Sequence, residues 1–217
     1  MTPAGGEPDR RQPEGASTGS CSVGNPHDEG GVVLLPALRT RDEADIYLDL
    51  RPCPRCGSME TAWRDGPVTV RSRRAHRYAG RCADCDENRE FLFEVSEDGD
   101  GPAPPGPRPR TRFGGDGPSL LLDPGEWMLV ADWCVEAWSS SDARGDDTGA
   151  ADSLWTAVAA IEEVRKFLPA DGEAVPESAF WSVRGRTVYH REPGRFRRRR
   201  LQVLLDLYLN RVPWVPS

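Results

Sequence analysis

Two short cysteine pairs, Cys53-Pro-Arg-Cys56 and Cys82-Ala-Asp-Cys85, stand 25 residues apart and restrict this chain more than any other feature. In a Cys-x-x-Cys turn both sulfurs can reach the same side, and two such turns supply the four thiolates of a tetrahedral site for which Zn²⁺ is the usual ion. Pro54 and Gly57 suit the first turn. Redox dithiols and iron are the alternatives left by the same spacing. Four thiolates leave no open coordination position, so the ion is expected to be structural and not itself catalytic.

The rest of the composition limits how much of the chain can fold. Gly 22 and Pro 20 among 217 residues interrupt regular structure often. Residues 1–30 are mostly Gly, Pro, Ser, Asp and Glu, too poor in large apolar side chains to offset the entropy of ordering, and are expected to be a disordered tail. No apolar run reaches membrane-spanning length, and the first residues lack the basic start and apolar stretch of a signal peptide, which predicts a soluble cytoplasmic protein with no membrane partner. Six cysteines, four at metal spacing, fit a reducing compartment better than a disulfide framework; Cys21 and Cys134 are left over.

Around the cysteines the pattern is short strands. Thr40-Arg-Asp-Glu43 has the form of a capping box and predicts a short helix carrying Ile46, Tyr47, Leu48 and Leu50 up to Cys53. Thr61–Arg64, an Asp65-Gly66-Pro67 turn, Val68–Val70 and Arg77–Gly80 predict strands and turns of an antiparallel meander, and Phe91, Phe93 and Val95 alternate onto one face of a further strand. On Cys53, Cys56, Gly57, Cys82 and Cys85, residues 51–95 resemble a zinc ribbon. The resemblance implies a three-stranded sheet with a knuckle at each end of a hairpin; Asp86 departs from it, standing where a second knuckle often has Gly. Residues 31–95 are therefore assigned to a short helix plus zinc ribbon.

Residues 96–118 read as a Pro/Gly-rich linker. Beyond it, residues 119–217 predict an α-helical domain. Asp123-Pro124-Gly125-Glu126 opens a helix with Trp127, Val130, Cys134 and Trp138 on one face, ended by a loop over 139–150. A second helix opens near Asp152 and carries Leu154, Val158, Ile161, Val164 and Leu168, stopping before Pro169. A shorter stretch begins at Pro176-Glu177, and a last helix over about 194–210 is expected to turn Phe196, Val203, Leu204, Leu207 and Tyr208 inward. The fold class expected is α+β: a small antiparallel zinc ribbon plus a C-terminal α-helical bundle.

Charge is unevenly placed. Residues 119–181 carry about −10 and 182–217 about +7, within a net charge of −7. Lys166 is the one lysine among 28 basic residues, so arginine clusters reflect a chain-wide bias before they reflect a function. Arg71, Arg73, Arg74 and Arg77 on the hairpin, with Arg197 and Arg198 farther on, form the candidate nucleic-acid surface. Pairing of the 184–200 arginines with Asp132, Glu136, Glu162 or Glu163 is the competing expectation, and Arg51, Arg55, Arg77 and Arg81 are placed to balance the charge of a Zn²⁺–thiolate centre. Cys134 and the helical tryptophans read as core, His27, His76 and His190 lie in separate segments, and no phosphate loop, His-Glu-x-x-His or Gly-x-Ser-x-Gly occurs. The function expected is that of a non-catalytic interaction or adaptor protein with an unidentified protein partner, the alternative being a nucleic-acid binder.

Overall fold

Thr40 starts the first helix because its hydroxyl accepts the Glu43 N–H, the contact that the capping-box pattern predicts. In this computed structural model, which describes residues 34–95, 113–142 and 147–212, that helix is α1, Arg41–Asp49. The reciprocal half of the box is altered: Glu43 reaches one residue further back and accepts the Arg39 N–H at 2.9 Å. The tail assigned to 1–30 and the 96–112 part of the linker lie outside the described residues, whereas Phe113, at the linker's far end, is buried.

A three-stranded antiparallel sheet follows, in the order β1 (Arg64–Val70), β2 (Arg73–Arg81), β3 (Asn88–Glu94). The expected turn at Asp65-Gly66-Pro67 is corrected here. Those residues lie inside β1, and the chain reverses at Arg71-Ser72, both at positive φ, 47° and 66°. Positive φ at both central positions is the type I′ reversal, whose twist matches the flanking strands, and the register Val70↔Arg73 places it at Arg71-Ser72. Pro67 is tolerated because β1 is an edge strand.

Alternation makes the two sheet faces unlike. His76↔Phe93 and Tyr78↔Phe91 are direct partners, so these four rings share one face. Tyr47 of α1 covers that face, meeting Phe91 and Phe93 edge-on at 5.8 and 5.5 Å. Leu35 adds one further rung at the outer side of β3 through Leu35 N–H to Leu92 O and Glu94 N–H to Leu35 O, both 2.8 Å.

The helical half contains α2 (Pro124–Asp142), α3 (Asp147–Arg165), α4 (Val183–Arg191) and α5 (Arg198–Leu209). Asp123 caps α2 by accepting the Gly125 and Glu126 N–H groups, and Glu126 returns the contact by accepting the Asp123 N–H at 3.3 Å. The ends of α2 and α3 extend beyond the expected ones, to Asp142 and from Asp147. At the end of α2, Ser139 and Ser140 donate their hydroxyls back to the carbonyls of Val135 and Glu136, which keeps them within the helix. Gly185 lies inside α4. A Cβ on Gly185 would stand 1.9 Å from a carboxylate oxygen of Asp123, so the glycine is what lets α4 cross the capped end of α2.

On α5 the expected inward face is also corrected. Leu201, Leu204, Leu205 and Tyr208 are buried, whereas Val203 and Leu207 are 48% and 42% exposed. The helix begins only after Arg197, because Pro193–Phe196 forms a separate 3₁₀ turn that rotates the face sideways. Aromatic residues of the sheet and apolar residues of α2–α5 belong to one hydrophobic core, within the compact unit Leu34–Ser217. No helix among the described residues is long and apolar enough to cross a membrane.

Candidate metal centre

The sulfurs of Cys53, Cys56, Cys82 and Cys85 all lie within 4.8 Å of one another. Each pair occupies a turn of the same construction. In the first, Gly57 N–H donates to Cys53 O at 2.8 Å and Cys53 N–H to Ser58 O at 2.8 Å; in the second, Asp86 N–H donates to Cys82 O at 3.0 Å and Cys82 N–H to Glu87 O at 2.9 Å. Gly57 has φ 77° and Asp86 has φ 58°. Asp86 therefore does the conformational job of the missing glycine, which Asp tolerates better than most side chains. The closest sulfur contacts run between the turns, Cys53 to Cys85 at 3.6 Å and Cys56 to Cys82 at 3.5 Å.

Backbone N–H groups are aimed at the sulfurs. Burial would push the Cys53 and Cys82 thiols up, but the N–H groups of Arg55 and Cys56 on Cys53, and of Asp84 and Cys85 on Cys82, together with neighbouring sulfurs, bring both below the ordinary thiol value. Against the N–H groups of Ser58 and Glu87, burial and the neighbouring sulfurs raise the Cys56 thiol and push Cys85 up to about 12, so the thiolate that binds metal is favoured at Cys53 and Cys82 and not at all four positions. Cys53 and Cys82 are buried, while Cys56 is exposed. Cys134 stands apart on α2, and burial raises its thiol to about 11.

The arginines expected to balance the centre do so only in part. Arg55 stays with it, donating to Cys85 O at 3.2 Å. Arg51 turns away to pair with the buried carboxylate of Glu126 at 2.9 Å and to lie over the Tyr47 ring. Arg77 pairs with Glu90. A residue that the sequence reading passed over, Arg89, is buried and ties the region together: its guanidinium donates to Thr61 Oγ1 at 2.8 Å and to Arg51 O, and stacks over Trp63 at 4.7 Å. Alternation could have flagged it, since Arg89 shares a face with Phe91 and Phe93.

Just before Cys53 the chain is held by the helical half. Arg184 of α4 donates to Leu50 O, and Arg51 reaches Glu126 of α2. A second buried ionic group lies alongside. Glu43, 1% exposed, accepts from Arg39 and from Ser119 Oγ at 2.7 Å; Arg39 continues to Glu163 at 2.9 Å, and Lys166 closes the group on Glu163 at 2.6 Å. Glu163 was expected to serve the C-terminal arginines. It serves the N-terminal Arg39 instead.

The candidate nucleic-acid residues are divided between the hairpin and the helical half. Arg71 is exposed in the hairpin turn, Arg73 pairs with Glu94 at 2.8 Å, Arg74 lies beside it on β2, and Arg77 is held by Glu90. On the helical half Arg197 is exposed, but Arg198 is spent on the carbonyls of Pro169, Ala170 and Gly172. Asp132, one of the acids expected to meet this block, takes Arg195 in a two-pronged contact at 2.8 and 2.5 Å.

No family model, no curated protein and no solved structure matches this chain.

Proposed function

We propose that this chain binds one Zn²⁺ through Cys53, Cys56, Cys82 and Cys85, that the ion is structural, and that the protein acts by binding another protein. The observation that carries the zinc reading is the four-sulfur cluster. Zn–S bonds of about 2.3 Å in a tetrahedron place sulfurs about 3.8 Å apart, and the cross-turn contacts of 3.5 and 3.6 Å with all four sulfurs inside 4.8 Å need little adjustment to reach that. Thiolate donors select zinc or iron over hard cations. With four protein donors no site is left for water or substrate, which supports a non-catalytic role.

On this reading residues 51–95 are a zinc ribbon, and α2–α5 form a small helical bundle against it in a reducing, cytoplasmic setting. The basic residues speak for a protein partner over nucleic acid, since Arg73, Arg77, Arg195 and Arg198 already hold carboxylates or carbonyls. Two measurements test it. Elemental analysis of the purified protein is expected to return one zinc per chain; iron, or no metal, would refute the zinc reading. Affinity purification with and without nuclease is expected to retain a stoichiometric protein partner under both conditions. Partners lost on nuclease treatment, with nucleic acid recovered, would transfer the function to the nucleic-acid alternative.

A further inference from the structure

We propose that the outer face of the sheet is a docking groove for an extended, carboxylate-rich peptide segment of a partner protein, gripped by Arg64 and Arg81. This names the partner chemistry for the protein-interaction reading and rests on it. The groove encloses about 750 Å³ and runs across β1, β2 and the start of β3. The register places Arg64 opposite Ala79, Gly66 opposite Arg77, and Arg81 opposite Asn88, so these side chains share the face that α1 does not cover. Gly66 and Ala79 make its floor shallow, and longer side chains wall it.

Charge decides what such a floor would hold. Arg64, Arg77, Arg81 and Glu90 present their charges on this face, and Asp65 and Arg89, which also border the groove, belong by register to the opposite one. Asp65 is already held by His76 at 2.9 Å and by Arg41, Glu90 by Arg77, and Arg89 by Thr61 and the Arg51 carbonyl. Among the described residues Arg64 and Arg81 have no ionic or hydrogen-bonding side-chain partner. They rise from neighbouring strands on a diagonal, a separation of about 7–8 Å, which suits two carboxylates spaced along one extended chain.

The same face argues against single-stranded nucleic acid. Binding of that kind rests on aromatic platforms for the bases, and Trp63, Tyr78, Phe91 and Phe93 are all committed to the covered face, in ring contacts with one another or with Tyr47. Pro67 in the middle of β1 removes a backbone donor and disfavours addition of a strand at that edge, so the peptide lies over the face and not beside it.

The test titrates the zinc-loaded full chain with a fluorescein-labelled (Glu-Ser)₅ peptide, and separately with a labelled ten-nucleotide oligothymidine. Saturable peptide binding is expected, with amide shifts of the wild-type protein concentrated at Gly66 and Ala79. Arg64→Glu with Arg81→Glu is expected to weaken it by about tenfold, the scale of two exposed ion pairs reversed to repulsion. Arg71→Glu, the same charge change outside the groove, is expected to alter it by less than about twofold. Metal content and circular dichroism report whether each variant is folded, and the wild-type shift map stands without any variant.

Absence of saturable binding, an equal loss in Arg71→Glu, or oligothymidine binding more tightly through the same two arginines would overturn the proposal. If the groove fails while a nuclease-resistant partner is still retained by the Arg64→Glu, Arg81→Glu chain, only this docking site is wrong. If no such partner exists for the wild-type chain either, the protein-interaction reading falls with it.

Discussion

Between Arg64 and Glu94 the sheet buries Tyr78 and Phe93 on one face, where they meet Tyr47, while on the other face Arg64, Arg77, Arg81, Asn88 and Glu90 are exposed to solvent. In the helical half, by contrast, α2 and α3 bury Trp127, Met128, Leu154, Ala157, Ile161 and Val164 along their length. The helical half has an apolar core of ordinary kind. The cysteine half has one thin aromatic layer and a four-sulfur cluster, and a layer that small does not hold a domain of this size together unaided. Two strategies of stabilisation thus meet in one chain, and the contact between them is made by buried ion pairs as well as by apolar packing.

The largest effect that separates the two halves is removal of a ligand. Structural zinc contributes on the order of 10 kcal/mol or more to the domains that depend on it. Cys82→Ser, or a strong chelator, is therefore expected to melt residues 51–95. Amide exchange should become fast throughout the sheet while α2 and α3 remain protected. Equal loss of protection in both halves would show that the helical core also depends on the metal.

Next in size is the seam. Glu43 is 1% exposed and its partner Arg39 is mostly covered. Glu43→Ala leaves Arg39 with Glu163 and the Gly117 carbonyl and removes the acceptor of the Ser119 O–H, and breaking a buried pair on one side costs about 3–5 kcal/mol. A fall in Tm of roughly 10 °C is expected from the usual scaling for a chain of this length. If Arg39→Ala combined with Glu43→Ala recovers part of that loss, the single-variant cost lies in the stranded charge and not in the net worth of the pair.

Gly185→Ala probes the helical half alone. The new methyl would meet the Asp123 carboxylate, which caps α2 and also accepts the Ser182 N–H at 2.8 Å. Overpacking together with loss of the cap is expected to cost about 2–4 kcal/mol, read as a lower urea midpoint with zinc content unchanged. The counterpart in the cysteine half has the opposite sign. Asp86→Gly should stabilise the second turn by up to about 1 kcal/mol, because a side chain at φ 58° is relieved; tighter zinc retention against a chelator would register it.

The smallest expected effect is on pH dependence. Partial desolvation, then the carboxylates of Asp49, Asp42 and Asp65, raise the Asp45 carboxyl to about 6. A raised carboxyl pKa means that the folded chain holds a proton the unfolded chain has released, so stability falls as pH rises from about 4 through 6. Asp45→Asn should flatten that slope in chemical denaturation and leave the variant slightly more stable than wild type at pH 7. A variant that keeps the full slope would assign it to other carboxylates.

Much of the local structure was legible because it is set by neighbours in the chain. The cap at Asp123 with Glu126, the hydroxyl of Thr40 on Glu43, and the buried face of α3 each follow from residues three or four positions apart. The four cysteines were legible for the same reason within each pair. Across pairs, it is the register of β2 with its neighbours that carries Cys82 back to Cys53.

What went unread depends on partners far away in sequence. Arg89 looked like surface and is buried, because Thr61, Trp63 and the Arg51 carbonyl converge on it. Val203 and Leu207 looked like core and are exposed, because the turn at Pro193–Phe196 sets the rotation of α5. Glu163 found Arg39, 124 residues away, and not the arginines that composition offered. The amino-acid sequence by itself determined the helices, the caps and the two cysteine turns, since short-range sterics and hydrogen bonding suffice for those. Only the tertiary structure decided which arginines are consumed by internal carboxylates and carbonyls and that Arg64 and Arg81 have no side-chain partner among the described residues, because charges pair by distance in space and not by position in the chain.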